Sequence, residues 1–173
     1  MTARYKASPM SNADIRELAK ELRKILGIGE HAKINIVKVL EHALPTLFCI
    51  NYDVRAREDM EIDKHAYCDP ETGEIVVRED VYKDAISGKG RDRFTIAHEI
   101  PHALFHRQRF LTRAFPGDRV KTFEDPEWQA DAFAGEFLCP AEATRGLEIY
   151  EIIDKFGVSE PCAMTQKKKG GTM

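Results

Sequence analysis

Three residues in the stretch FTIAHEIPHALFH, Phe94 to His106, have the types and the spacing to activate water. His98 and His102 are four positions apart. On a helix they would lie about 40° apart in azimuth and about 6 Å apart in rise, so their imidazoles could share one ion. Glu99 sits about 100° round from His98, where its carboxylate reaches a water on the ion rather than the ion itself. A zinc ion lowers the pKa of such a water to about 7, and Glu99 is then placed to take the proton as general base. The order His-Glu-x-x-His is the one that zinc peptidases use.

A catalytic zinc needs a third protein ligand and keeps one position open. The stretch EWQADAFAGEFL offers the best candidate in Glu127, with Asp131 four positions on and on the same helical face. Glu127 would bind the ion. Asp131 would accept a hydrogen bond from the outer nitrogen of His98 or His102 and so fix its tautomer. Glu124 and Glu136 are rival carboxylates, but Glu136 lies about 180° round from Glu127, so the two do not share a face. His106 continues the histidine series, with about 80° of drift from His98. It reads as a packed or supporting histidine rather than the third ligand. The carbonyl under attack also needs a hydrogen-bond donor, for which Tyr67 or Tyr82 is a candidate.

These stretches, GRDRFTIAHEIPHALFH followed by EWQADAFAGEFLCP, resemble the ImmA/IrrE family of zinc metallopeptidases. The resemblance covers roughly residues 14–156. It implies His98, His102 and Glu127 as ligands to one Zn2+ ion, Glu99 as base and Asp131 as support. It also implies a cytoplasmic endopeptidase whose partner and substrate is a helix-turn-helix repressor. The departure is Pro101, where the family has glycine. Proline removes the N–H that would bond the carbonyl of Ala97 and crowds that carbonyl, at about 3 kcal/mol or more. It also disfavours helical dihedrals at Ile100. A tolerated bend would leave both imidazoles on one side, held by the apolar anchors Ile96, Ile100 and Leu104. An opened turn would separate them. The alternative to an active peptidase is therefore a catalytically silent metal-binding or protein-binding regulatory module.

Several elements must position these groups. Ser11 or Asn12 caps a first helix with an apolar stripe of Ile15, Leu18, Leu22, Ile25 and Leu26, ended by Gly27. A second helix is predicted over 34–43, stopped near Pro45. The stretch 47–54 reads as a strand. Tyr67-Cys68 and Ile75-Val76-Val77 read as two arms of a hairpin around the turn residues Asp69 to Gly73. A short helix is expected over 81–86 and a last helix over 141–156. The fold class is α+β, a small antiparallel sheet packed against helices, with the buried metal-binding helix lying across it. Residues 1–12 form an N-terminal lead-in, 13–157 the metallopeptidase-like domain, and 158–173 a flexible basic tail.

Composition bounds the rest. A length of 173 residues suits one domain. A formal net charge of −3 argues against wholesale nucleic-acid or membrane binding. The absence of a long apolar run argues against a membrane span, and Met1 to Met10 has no signal core. Cys49, Cys68, Cys139 and Cys162 form no close pair and read as reduced thiols in a cytoplasmic protein. Arg107, Arg109, Arg113, Arg119 and Lys121 read as a solvated basic rim, or else as a groove for an acidic segment or DNA. The stretch KFGVSEPCA resembles the start of a helix-turn-helix but lacks a recognition helix, so direct nucleic-acid binding is not expected.

Overall fold

The computed structural model describes residues 5–115 and 117–171. The first helix, α1 (Asn12–Ile25), opens on a capping box: Ser11 Oγ accepts from the Asp14 N–H, and the Asp14 carboxylate accepts from the Ser11 N–H. It buries Ile15, Ala19 and Leu22, while Leu18 and Ile25 are exposed. The stripe read from the sequence was therefore rotated: Ala19, being small, lets α1 lie close on a neighbouring helix.

The second helical segment outruns the expected stop at Pro45. It runs as α2 (Ile36–Lys38), a π-turn (Val39–Ala43) and α3 (Leu44–Phe48). The Leu44 N–H bonds the Val39 carbonyl five residues back. This widened turn brings Pro45 in at the start of α3, where a missing N–H matters least. Leu47 and Phe48 accordingly finish a helix, and strand β2 occupies only Tyr52–Arg55.

The hairpin forms as β3 (Ala66–Cys68) and β4 (Ile75–Arg78), antiparallel with Tyr67 opposite Val76. Asp69 Oδ1 accepts from the N–H groups of Glu71 and Thr72 and closes the turn. The sheet is mixed rather than antiparallel, in the order β2-β4-β3, with β2 parallel to β4. All four residues of β4 are buried, so it takes the centre. The hairpin places β3 on one edge of it, and β2 takes the other. A separate antiparallel pair joins β1 (Tyr5–Lys6) to β5 (Thr112–Arg113).

After α4 (Glu79–Ile86) comes the central helix, α5 (Gly90–Phe105), which runs unbroken through Pro101. It buries Arg93, Ile96, Ala97, Glu99, Ile100, Pro101 and Ala103 and packs on β3, α4 and α6 (Pro126–Leu138). The Arg93 guanidinium holds the carbonyls of Gly157 and Ile34, each at 2.8 Å, and so anchors the start of α5. α6 lies between α5 and α1.

The segment expected as one last helix is a 3-10 turn (Ala141–Thr144) followed by α7 (Ile149–Phe156). The expected flexible tail also differs: residues 160–171 form α8 (Glu160–Gly171), with Cys162, Ala163, Gln166 and Gly170 buried. Gln166 Nε2 donates to the Cys139 carbonyl at 2.8 Å. A Cβ at Gly170 would collide with the Ala141 carbonyl, so glycine there permits close approach. The Lys/Gly composition signalled disorder, and tertiary packing overrides that poor intrinsic helix propensity.

Candidate metal centre

α5 carries His98, Glu99 and His102, and α6 carries Glu127 and Asp131. Asp125 caps α6, accepting from the Glu127 N–H at 3.1 Å, with Pro126 in the first turn. Glu127 is thus fixed at the helix start, facing the middle of α5.

The candidate ligand atoms converge. His98 Nε2 lies 3.3 Å from His102 Nε2 and 3.2 Å from Glu127 Oε2, and His102 Nε2 lies 3.5 Å from Glu127 Oε1. These three residues form a group that could hold a metal ion. Zinc bonds of about 2.0–2.1 Å set a tetrahedral edge of roughly 3.3–3.4 Å, close to all three separations. On the far side of its ring, His98 Nδ1 lies 2.9 Å from Asp131 Oδ1. A carboxylate only accepts, so Nδ1 is the protonated nitrogen and Nε2 can offer a lone pair at the convergence point. The donor set fits one zinc ion.

The electrostatics agree. Burial disfavours a charged His98, but its bonds to Asp131 and Glu127, with Glu99 nearby, push its pKa up to about 10. Glu127 is held below the usual carboxylate range by its bond to His98. Burial holds His102 below its ordinary value, with the other two imidazoles adding to that effect. Glu99 is buried, and burial first, then the charge of Glu127, raises it to about 7 against the pull of His98 and the Cys68 N–H. A carboxyl poised there can accept and release a proton near neutral pH.

A cavity of about 590 Å³ opens over these groups, with Tyr67 and Cys68 on one side and Leu111 and Val120 on another. Tyr67 is therefore brought to the site, with its hydroxyl accepting from Arg55 Nη1 at 2.9 Å. Tyr82 is not: its hydroxyl bonds Glu41. The rival carboxylates are employed elsewhere. Glu136 is buried and accepts from the Ala141 N–H, and Glu124 accepts from the Lys121 N–H.

Two buried residues stand behind the ligands, one of them read from the sequence as a supporting histidine and one not. His106 is buried, with Nδ1 at 3.1 Å from His102 Nδ1 and Nε2 at 2.7 Å from Gln129 Oε1. Gln129 was not singled out in the sequence. The one signal was a polar residue on the same α6 that buries Ala130 and Phe133.

The family model described as an IrrE N-terminal-like domain matches residues 51–161, more than half of the chain. No curated protein matches it. Among solved structures, a Mycobacterium tuberculosis transcriptional regulator superposes with a TM-score of 0.58 at 17% identity. The match covers 87% of this chain and 45% of that one, so this chain spans less than half of that protein's length, and the likeness is one of fold. The matched stretch contains both α5 and α6, the helices whose packing brings His98, His102 and Glu127 together, and the chain belongs to the ImmA/IrrE metallopeptidase family.

Proposed function

We propose that this chain is a zinc-dependent endopeptidase that hydrolyses a peptide bond in a helix-turn-helix repressor or similar regulatory protein, in the cytoplasm. The observation that carries this reading is the convergence of His98 Nε2, His102 Nε2 and a Glu127 oxygen beside the buried Glu99 carboxyl. His98, His102 and Glu127 hold the ion, and Asp131 orients His98. When bound, zinc supplies Lewis acidity toward a peptide carbonyl and toward water. Glu99 takes a proton from the attacking water and returns it to the leaving amine. Tyr67, on the cavity wall, donates to the carbonyl oxygen as its charge develops.

The sheet suits a peptide substrate. The Asp69 N–H bonds the Glu74 carbonyl and the Arg78 N–H bonds the His65 carbonyl. Alternate residues Ala66 and Cys68 therefore turn their N–H and C=O groups away from β4. This edge lines the cavity, with the Cys68 N–H turned to the Glu99 carboxylate, so an extended chain can pair with the part of the edge at Ala66. A regulatory setting is in keeping with the fold shared with the Mycobacterium tuberculosis transcriptional regulator. Among the described residues no helix is long and apolar enough to cross a membrane, and the four cysteines are free thiols, in keeping with a reducing compartment.

The test is incubation of zinc-loaded and chelator-stripped protein with helix-turn-helix repressors, with products read by mass spectrometry. Cleavage by the loaded form alone supports the proposal. Stable binding without cleavage supports instead the silent regulatory module that Pro101 suggested.

A further inference from the structure

Behind His102, on the side away from the convergence point, runs a chain of side-chain contacts that ends on the backbone. His102 Nδ1 faces His106 Nδ1 at 3.1 Å, and His106 Nε2 faces Gln129 Oε1 at 2.7 Å. Gln129 Nε2 faces two carbonyl oxygens, Ser8 and Phe123, each at 2.8 Å. Those carbonyls can only accept, so the amide nitrogen of Gln129 must be the atom that meets them. Turning the amide over would set its oxygen against both. The Gln129 oxygen therefore faces His106 and requires the proton on His106 Nε2. A neutral His106 then has a bare Nδ1, so the proton shared with His102 must sit on His102 Nδ1. Each step forces the next, and the result is a bare Nε2 on His102, directed at His98 and Glu127.

Water has little access to this chain. His106 is 3% exposed and Gln129 is 0% exposed, so solvent does not substitute for either partner. The ring of Phe105 stands edge-on to His106 at 4.9 Å and limits its rotation. The backbone on either side of Ser8 is pinned to the segment that carries Phe123: the Met10 N–H bonds the Phe123 carbonyl, and the Ala7 N–H bonds the Glu124 carbonyl.

We infer that His106 and Gln129 are positioning residues that hold His102 in its Nδ1–H tautomer, and that the backbone of Ser8 and Phe123 sets this tautomer by orienting the Gln129 amide. The N-terminal segment is then part of the scaffold of the metal centre. The consequence for metal binding rests on His102 being a ligand, as proposed above, while the tautomer itself does not.

The experiment is long-range proton–nitrogen correlation NMR on histidine-labelled, metal-free protein, paired with zinc titration of the wild type, Gln129→Met and His106→Phe. The expected result is His102 protonated at Nδ1 and His106 at Nε2 in the wild type. In His106→Phe the His102 proton moves to Nε2 in a measurable fraction of molecules. Both variants should lose zinc affinity by about 10–100-fold, the usual effect of removing a partner of a metal-bound histidine. His102 found as the Nε2–H tautomer in the wild type would overturn the inference, and that reading needs no variant to fold. Folded variants with unchanged tautomers and unchanged zinc affinity would overturn it too. The stated tautomers together with no zinc binding by the wild type would confirm the orienting chain and refute the ligand role of His102.

Discussion

His98 and His102 present their Nε2 atoms 3.3 Å apart although Pro101 occupies the turn between them. The helix holds because Ile96, Ala97, Ile100 and Ala103 are all buried to within 1%, so both halves are anchored on either side of the proline. Pro101 is buried as well, away from the open side of the turn where the two imidazoles meet. The helix therefore carries the backbone cost of proline without losing the shared face of its histidines.

That cost should be recoverable. Pro101→Ala restores an N–H for the Ala97 carbonyl and removes the ring clash. We expect a gain of about 1–3 kcal/mol in stability. At about 2–4 °C per kcal/mol this is visible as a rise in melting temperature. Zinc affinity should change by less than about tenfold, because the ligand spacing is already in place. A variant that melts lower than the wild type would show that the proline ring's packing outweighs the lost bond.

Each proposed ligand should be individually necessary. His98→Ala, His102→Ala and Glu127→Ala should each bring bound zinc well below one equivalent after gel filtration, as read by elemental analysis. Zinc retained at full stoichiometry by Glu127→Ala would remove that residue from the ligand set and reopen the search for a third donor.

Acid should weaken one link beside the sheet. Asp80 is held down to about 2 by its hydrogen bonds to Arg78, and Arg78 also holds the Lys64 carbonyl. The folded pKa is depressed, so the stabilisation is complete above the unfolded value of 3.8 and is lost as pH falls through about 2. Asp80 is half exposed, so the effect should be under about 1 kcal/mol. Denaturant melts of wild type and Asp80→Asn should differ at pH 6 and coincide near pH 1.5. A gap that persists undiminished at the lower pH would assign it to something other than the carboxylate charge.

The C-terminal helix should be needed for stability. Gly170→Val places a branched side chain against the Ala141 carbonyl, and overpacking of this kind costs about 1–3 kcal/mol. A melting temperature equal to wild type would mean that residues 160–171 contribute little to the folded domain.

The two helices that carry the candidate ligands were legible because helical periodicity fixes which residues share a face: His98 with His102, and Glu127 with Asp131. That reading needs only local geometry. Features set by tertiary contact were not legible. Leu18 and Ile25 looked like core residues, yet Ala19 is the position that lets α1 approach its neighbour. The hairpin was plain from its turn residues, but nothing local to Tyr52–Arg55 said that it would lie parallel to β4. Pro45 carried a stop signal that the widened turn before it absorbs, and the lysines and glycines of α8 carried local signals that tertiary packing overruled. Gln129 stood unremarked in EWQAD, because its role depends on carbonyls at Ser8 and Phe123 that only the folded chain brings to it.

The most direct test is the rate at which zinc-loaded wild type and Glu99→Gln cleave a protein substrate at equal, measured zinc content. Glutamine keeps the shape of Glu99 but cannot take a proton. The account expects zinc occupancy to be unchanged and the rate to fall by about 10²–10⁴-fold, the range for loss of a general base. Equal rates for the two proteins, or no cleavage by fully loaded wild type of any substrate that it binds, would contradict it.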